Sequence, residues 1–188
     1  MGIERDAAWY DDAFTDSRLY NQEPKNAMWY MTWLSLLEFV KSTDKILDLG
    51  CGPGHLAQLL TPDKCKCYTG VDFSETALMQ ARIANADHHA ALFLNHNLLD
   101  LPAHLFGGVD IVILSEVLEH IEDDFAVLKQ IPTGMRLAIS VPNTNADSHV
   151  RLFNTAQDIY DRYGTIMRIP MEPIFIQKIW WVFGARML

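Results

Sequence analysis

The stretch Lys45-Ile-Leu-Asp-Leu-Gly-Cys-Gly-Pro-Gly-His55 decides how this chain reads. Lys45–Leu49 is a short apolar run that suits a buried strand. Glycines at 50, 52 and 54 follow it and let backbone approach a ligand closely. Pro53 then stands near the first turn of a helix expected over 53–60. A helix N-terminus favours negative groups, so on these grounds alone the turn suits a phosphate or a carboxylate. The spacing is G-x-G-x-G rather than the G-x-G-x-x-G of dinucleotide binders, and no G-K-[ST] follows. Asp48 sits just ahead of the turn, where a carboxylate repels a pyrophosphate and attracts an ammonium.

Outward from that stretch, strands and helices alternate. Residues 1–25 are polar and aromatic and read as short helical pieces closed by Pro24. An apolar helix is expected over 26–40. Strands are expected over 67–72, 91–95, 109–114 and 135–141. Helices are expected from a Ser74 N-cap to about 86, over 122–131 and over 154–163. Two last strands are expected over 165–169 and 176–183. This alternation predicts a parallel α/β sheet with helices on both faces and a ligand at the carboxyl ends of the strands.

Bulk properties agree with one such domain over residues 1–188. The chain has 188 residues, is 49% apolar and 21% charged, and carries a net charge of −9. The negative balance argues against a nucleic-acid partner. No apolar run reaches membrane-spanning length. The start, MGIERDAAWYDD, is too acidic for a secretory signal and has Asp6 where a myristoylation motif needs Ser or Thr. Three cysteines, an odd number, fit a reducing, cytoplasmic setting. Cys65 and Cys67, one residue apart without a matching pair, read as strand-flanking positions rather than a zinc site. Oligomeric state is not legible.

Two carboxylates bracket the candidate ligand site. Asp72 closes the strand in GVDFS, 22 residues after Gly50, and suits the two hydroxyls of a ribose. Asp48 suits an ammonium. S-adenosylmethionine (SAM), with its ammonium, carboxylate, sulfonium and ribose, matches this pair.

The segments ILDLGCGPG, GVDFS, FLNHNLLDLP, DIVILSEVLEH and GMRLAISVPN, in that order, resemble the class I SAM-dependent methyltransferases over about residues 44–143. The resemblance implies a Rossmann-like, doubly wound, seven-stranded sheet, mostly parallel with an antiparallel last strand. It implies that Asp48, Gly50, Cys51 and Gly52 line the methionine end of SAM, with Ser115 also on the cofactor side. It implies that Asp72 holds the ribose and that Phe73 and Leu98 sandwich the adenine. Asn97 stands where the family usually has an aspartate facing the adenine amino group. Its amide oxygen still accepts that hydrogen bond.

Ser115-Glu-Val-Leu-Glu-His120 follows the fourth expected strand. As a helical turn it would set Glu116 beside Glu119 and His120, at i+3 and i+4. His149 follows the fifth strand at the same end. Two carboxylates and imidazoles suit a divalent cation such as Mg²⁺. The segment resembles the E-x-x-E-H pattern of ubiquinone-biosynthesis O-methyltransferases and of small-RNA 2′-O-methyltransferases. That resemblance implies metal ligands Glu116, Glu119, His120 and His149, with the cation lowering the pKa of an acceptor hydroxyl. Without metal, His120 or His149 reads as a general base, with Glu116 beside them. Arg151 reads either as an acceptor grip or as a surface arginine.

The reading is a SAM-dependent methyltransferase acting on an oxygen or nitrogen of a small molecule. Residues 1–40 would form a helical lid and first helix, 44–143 the donor core, and 144–188 the acceptor side. The alternatives are a SAM-binding protein without methyl transfer, an RNA 2′-O-methyltransferase and an NAD-dependent oxidoreductase.

Overall fold

Alternate residues of a strand face opposite sides, and in β1 (Lys45–Leu49) that alternation divides the apolar residues between two faces. Leu47 and Leu49 enter one buried cluster, and Ile46 enters another on the opposite face. The same division holds in β4 (Ile111–Ser115), where Val112 and Leu114 face the first cluster and Ile111 and Ile113 the second. Both faces are therefore apolar and both need helices over them.

The computed structural model describes residues 2–60 and 65–188. The other strands are β2 (Cys67–Asp72), β3 (Ala91–Asn95), β5 (Arg136–Pro142), β6 (Met167–Arg168), β7 (Ile174–Ile176) and β8 (Trp180–Met187). The helices are α1 (Ala7–Asp16), α2 (Tyr30–Leu37), α3 (His55–Leu59), α4 (Glu75–Ala84), α5 (Asp124–Gln130) and α6 (Ala156–Tyr163). The sheet runs β3-β2-β1-β4-β5-β8-β6, with β7 also on β8. Strands β1 to β5 are mutually parallel, and β8 is antiparallel to β5. Val127 and Leu128 of α5 and Ile159 and Tyr163 of α6 cover one face. Trp33 and Leu36 of α2, Leu56 of α3 and Leu78 and Ala81 of α4 cover the other.

The expected doubly wound sheet is present, with eight strands rather than seven. The extra strand has a local cause. β6 and β7 both pair along the outer edge of β8, and their register slips by two residues between them. Pro170 and Pro173 lie in that gap, and proline cannot donate to a ladder. The two strands are one edge strand broken by prolines. The turn from β7 into β8 places Gln177 and Lys178 at φ 51° and 60°. It carries neither Gly nor Asn, so the sequence pattern runs this region as a single strand over 176–183.

The helices are shorter than their apolar patterns suggest. The helix expected over 26–40 is α2 preceded by a 3-10 turn at Pro24–Asn26. Ser74 does cap α4, its side chain accepting from the Ala77 N–H. Thr155 and Asp158 form a reciprocal capping box that starts α6.

Candidate functional site

The carboxyl ends of β1, β2, β4 and β5 open into a cavity of about 420 Å³. Asp48, Gly50, Cys51, Gly52, Asp72, Phe73, Asn97, Leu98 and Ser115, the nine residues expected on the cofactor side, all line it. The glycine turn has positive φ at each of its glycines, 79°, 51° and 76°. A Cβ on Gly54 would lie 2.9 Å from Ala81 Cβ, so this glycine lets the turn pack on α4. One on Gly52 would meet only the Phe14 ring at 3.7 Å, so its Cα faces the open cavity.

Asp72 is held by backbone. Oδ2 accepts from the Gly52 N–H and Oδ1 from the Ser74 N–H, both at 2.9 Å. That aims the carboxylate and leaves a second lone pair on each oxygen. Asp48 is 2% exposed, and its Oδ2 accepts from the Tyr68 hydroxyl at 2.5 Å. Its Oδ1 is buried without a partner. Burial pushes the Asp48 carboxyl up to about 7, against the Tyr68 hydrogen bond that lowers it. Asn97 Oδ1 accepts from the Leu99 N–H at 2.9 Å, an Asx turn that fixes the side chain.

The N-terminal helix lines the cavity through Tyr10 and Phe14. Asp11 accepts from Ser74 Oγ at 2.5 Å and from the Thr76 N–H at 3.1 Å, which ties α1 to α4. Gln80 donates to the Phe14 carbonyl at 2.9 Å. Tyr10, Tyr20, Trp29 and Trp33, the candidate lid aromatics, all line the cavity. Trp33 is also core, at 8% exposure. Tyr20 stacks on Trp29 with centroids 5.5 Å apart and planes 7° apart. A strap of residues 2–5 then crosses to the loop after β5, where the Gly2 N–H donates to the His149 carbonyl and the Ile3 N–H to the Asp147 carbonyl.

Of the four expected metal ligands, the fold brings three together. Potential ligand atoms of Glu119, His120 and His149 all lie within 4.8 Å of one another. Glu116 lines the same cavity but is not in that cluster. The reason is the backbone. Residues 118–120 form a 3-10 turn, and Glu116 precedes it at φ 56°, in the left-handed region. The i+3 and i+4 geometry of a helical turn does not apply there. Glu116 Oε1 instead accepts from Ser140 Oγ at 2.7 Å.

The electrostatics of the cluster favour metal ligands over free ions. Glu119 is fully buried and neither of its carboxylate oxygens has a hydrogen-bond partner. Burial, then the charge of Glu116, holds its carboxyl well above the usual range. His120 Nδ1 lies 3.0 Å from the Ser148 carbonyl, and His149 Nδ1 lies 2.7 Å from the Thr144 carbonyl. A carbonyl only accepts, so each Nδ1 carries the proton and each Nε2 keeps a lone pair. Burial, then His149, brings His120 down to about 4, and burial lowers His149 as well. Both imidazoles are neutral at physiological pH.

Arg151 neither points at an acceptor nor lies free on the surface. Its guanidinium donates to the carbonyls of Leu118, Ile121 and Glu122 and pairs with the buried Asp124 at 3.3 Å. It braces the turn that carries Glu119 and His120. Tyr68 and Ser140 are site residues that the sequence pattern does not single out. Both lie in strands, and only the parallel register sets Tyr68 opposite Ile46, on the face that Asp48 shares.

A family model described as "Methyltransferase domain" matches residues 47–136. Over that segment the chain is similar to SAM-dependent methyltransferases. A ubiquinone biosynthesis O-methyltransferase from Thiobacillus denitrificans is 28% identical over 149 residues, covering 76% of this chain and 61% of that one. The chain spans 47–61% of the length of the first curated relatives it matches. The N-methyltransferase NodS from Bradyrhizobium japonicum, solved with S-adenosyl-L-homocysteine (SAH), matches with TM-score 0.65 at 17% identity over 97% of this chain and 93% of that one. The cyclase SpnF matches with TM-score 0.75 at 13% identity over 100% and 99%. These two likenesses are of fold, and a fold shared with a cyclase leaves the reaction to be argued from the site.

SAM is the methyl donor of the enzymes that this chain resembles, and the residues present suit it. Asp48 offers a buried oxygen without a partner, of the sign an ammonium needs. Gly52 leaves open space where any side chain would intrude. The acid–histidine cluster likewise suits a divalent cation, through two orphaned carboxylate oxygens and two oriented imidazoles.

Proposed function

We propose that this chain moves the methyl group of SAM to an oxygen of a small-molecule acceptor held beside Glu119, His120 and His149. The observation that carries this reading is the buried carboxylate of Glu119 with both oxygens unpartnered, next to two imidazoles, His120 and His149, that line the same cavity as Asp48 and Asp72. An unpaired buried carboxylate is costly, and a bound cation relieves it. The similar ubiquinone biosynthesis enzymes are named as O-methyltransferases, which supports oxygen over nitrogen.

Residues 44–143 would grip the donor. Asp48 takes the ammonium, Asp72 the ribose hydroxyls, Phe73 and Leu98 the adenine faces and Asn97 its amino group, with Ser115 at the floor. Residues 1–40 and 144–188 would wall the acceptor. SAM when bound supplies an electrophilic methyl on a sulfonium. A divalent cation such as Mg²⁺, when held by Glu119, His120 and His149, supplies positive charge that lowers the pKa of the acceptor hydroxyl. The chain's own contribution is alignment of the acceptor oxygen and exclusion of water by the lid. His120, brought down to about 4, is a weak base at neutral pH and a good ligand. Glu116, close enough to raise the Glu119 carboxyl, adds negative charge beside the cation. Among the described residues no helix is long and apolar enough to cross a membrane. The cysteines Cys51, Cys65 and Cys67 are free, which supports a cytoplasmic setting.

The test is calorimetric titration with SAM, with Mg²⁺ and with a chelator, then SAH formation across a panel of hydroxylated small molecules. SAM binding with cation-dependent turnover is expected. No SAM binding under any condition, or no SAH from any hydroxyl acceptor with or without cation, would overturn the reading.

A further inference from the structure

Asp48 lies on an apolar face of the sheet. It follows Ile46 at a two-residue interval, so the two share a face, and Ile46 clusters there with Ile113, Trp33 and Leu56. Among the described residues, the one side chain that hydrogen-bonds Asp48 is Tyr68, whose hydroxyl donates to Oδ2 at 2.5 Å. Oδ1 is left without a partner. The contact runs diagonally between two strands, because Tyr68 pairs in register with Ile46 and Asp48 pairs with Gly70. Gly70 has no side chain to stand opposite Asp48, and a Cβ there would lie 2.8 Å from Cys51 Sγ. The Tyr68 ring is buried and lies against Phe93, with centroids 5.8 Å apart, which holds the hydroxyl in place.

We propose that Tyr68 is a positioning residue for the methyl donor: its hydroxyl holds one oxygen of Asp48 and leaves the other, ionised and free, for the donor's ammonium. This rests on the methyl-transfer reading above and deepens its donor site. Two effects combine. A hydrogen bond to the ionised form favours that form, and Tyr68 lowers the Asp48 carboxyl against the burial that raises it. The same bond fixes the side-chain rotation, so the free oxygen needs no further ordering when the ammonium arrives. Tyr68 itself stays protonated and donating, because burial and then the Asp48 charge hold its hydroxyl well above the usual range. The other ionisable groups near Asp48 give it no such support. Asp72 raises it, and Cys51, pushed up by burial, is an uncharged thiol. His55, Glu116 and His120 line the same cavity and bond elsewhere.

The experiment is calorimetry on the full chain at two pH values with two probes, SAH and 5′-methylthioadenosine. The second keeps the nucleoside and the thioether and lacks the amino-acid end. Tyr68→Phe removes the hydroxyl alone. It is expected to raise the pH midpoint of SAH binding from about 7 to about 8. The variant then binds SAH about tenfold more weakly than the parent at about pH 6, and only about twofold more weakly at about pH 8. Its affinity for methylthioadenosine is expected to match the parent's at both. In an Asp48→Asn background the same change is expected to add no further loss. Replacing Tyr68 with 3-fluorotyrosine keeps the ring and strengthens the donor, so the midpoint is expected to fall, and this measurement stands in if the phenylalanine variant does not fold. A loss of equal size at both pH values, an equal loss for methylthioadenosine, or an added loss in the Asp48→Asn background makes Tyr68 a packing residue and overturns the inference. A midpoint unmoved by fluorotyrosine overturns it as well. Failure of the parent to bind SAH would instead sink the methyltransferase reading, so the two failures are separable.

Discussion

Lowering the pH from about 8 to about 5 titrates Asp48 across the range where donor binding depends on its charge. In the free protein burial holds this carboxyl up to about 7. An ammonium binds the ionised form, so binding below that value must first expel a proton. At about pH 5 roughly one Asp48 in a hundred is ionised, and SAM affinity is expected to fall roughly a hundredfold from its value above pH 7, about 2.7 kcal/mol. Calorimetry at several pH values, in two buffers of different ionisation enthalpy, reads both the affinity and the proton released. Asp48→Asn is expected to bind more weakly at about pH 8 and to lose the slope. An affinity flat between those pH values would refute the ammonium assignment. So would a slope that persists in Asp48→Asn, which would assign it to Glu116, the other cavity carboxyl held at about 7. The same group sets a stability trend. Its folded-state pKa is raised, so its contribution is most favourable below about pH 4 and is lost as pH climbs to about 7. The displacement from 3.8 to about 7 corresponds to roughly 4 kcal/mol. Ligand-free Asp48→Asn should therefore melt higher than the parent at about pH 8.

Glu119→Gln removes the charged ligand at the centre of the cation cluster and should abolish any divalent-cation shift in melting temperature while SAM affinity holds, as read by thermal melts and calorimetry. Arg151→Met leaves the carbonyls of Leu118, Ile121 and Glu122 short of a donor, while the buried Asp124 keeps Arg162 and the Tyr163 hydroxyl. It should cost about 1–3 kcal/mol in urea denaturation, and Mn²⁺ binding followed by electron paramagnetic resonance should weaken with it. Asp72→Ala should weaken SAM severely and also loosen the glycine turn through the lost Gly52 N–H bond. A native-like circular dichroism spectrum with unchanged SAM affinity would refute its ribose role.

What the sequence determined by itself was local and periodic. The alternation of apolar strands with helical segments required a doubly wound sheet, because strands buried on both faces need cover on both faces. Three glycines after a strand, with Asp48 before them and Asp72 at the end of the next strand, marked residues that line the cavity. All of those positions follow from one chain segment and its backbone. What only the tertiary structure decided was set by register and by loops meeting across the sheet. Tyr68 reaches Asp48 because β1 and β2 are parallel in a particular register. His149 meets Glu119 and His120 because the loops after β4 and β5 converge, with Val150 N–H bonded to the Glu119 carbonyl. Glu116 leaves the cluster because a single residue at positive φ turns it toward Ser140. Arg151 braces rather than binds, and Arg5 faces the cavity from far away in the sequence. Local pattern reports which residues share a strand or a turn. Which side chains meet across long separations in the chain depends on loop closure and packing, and no periodicity along the chain encodes it.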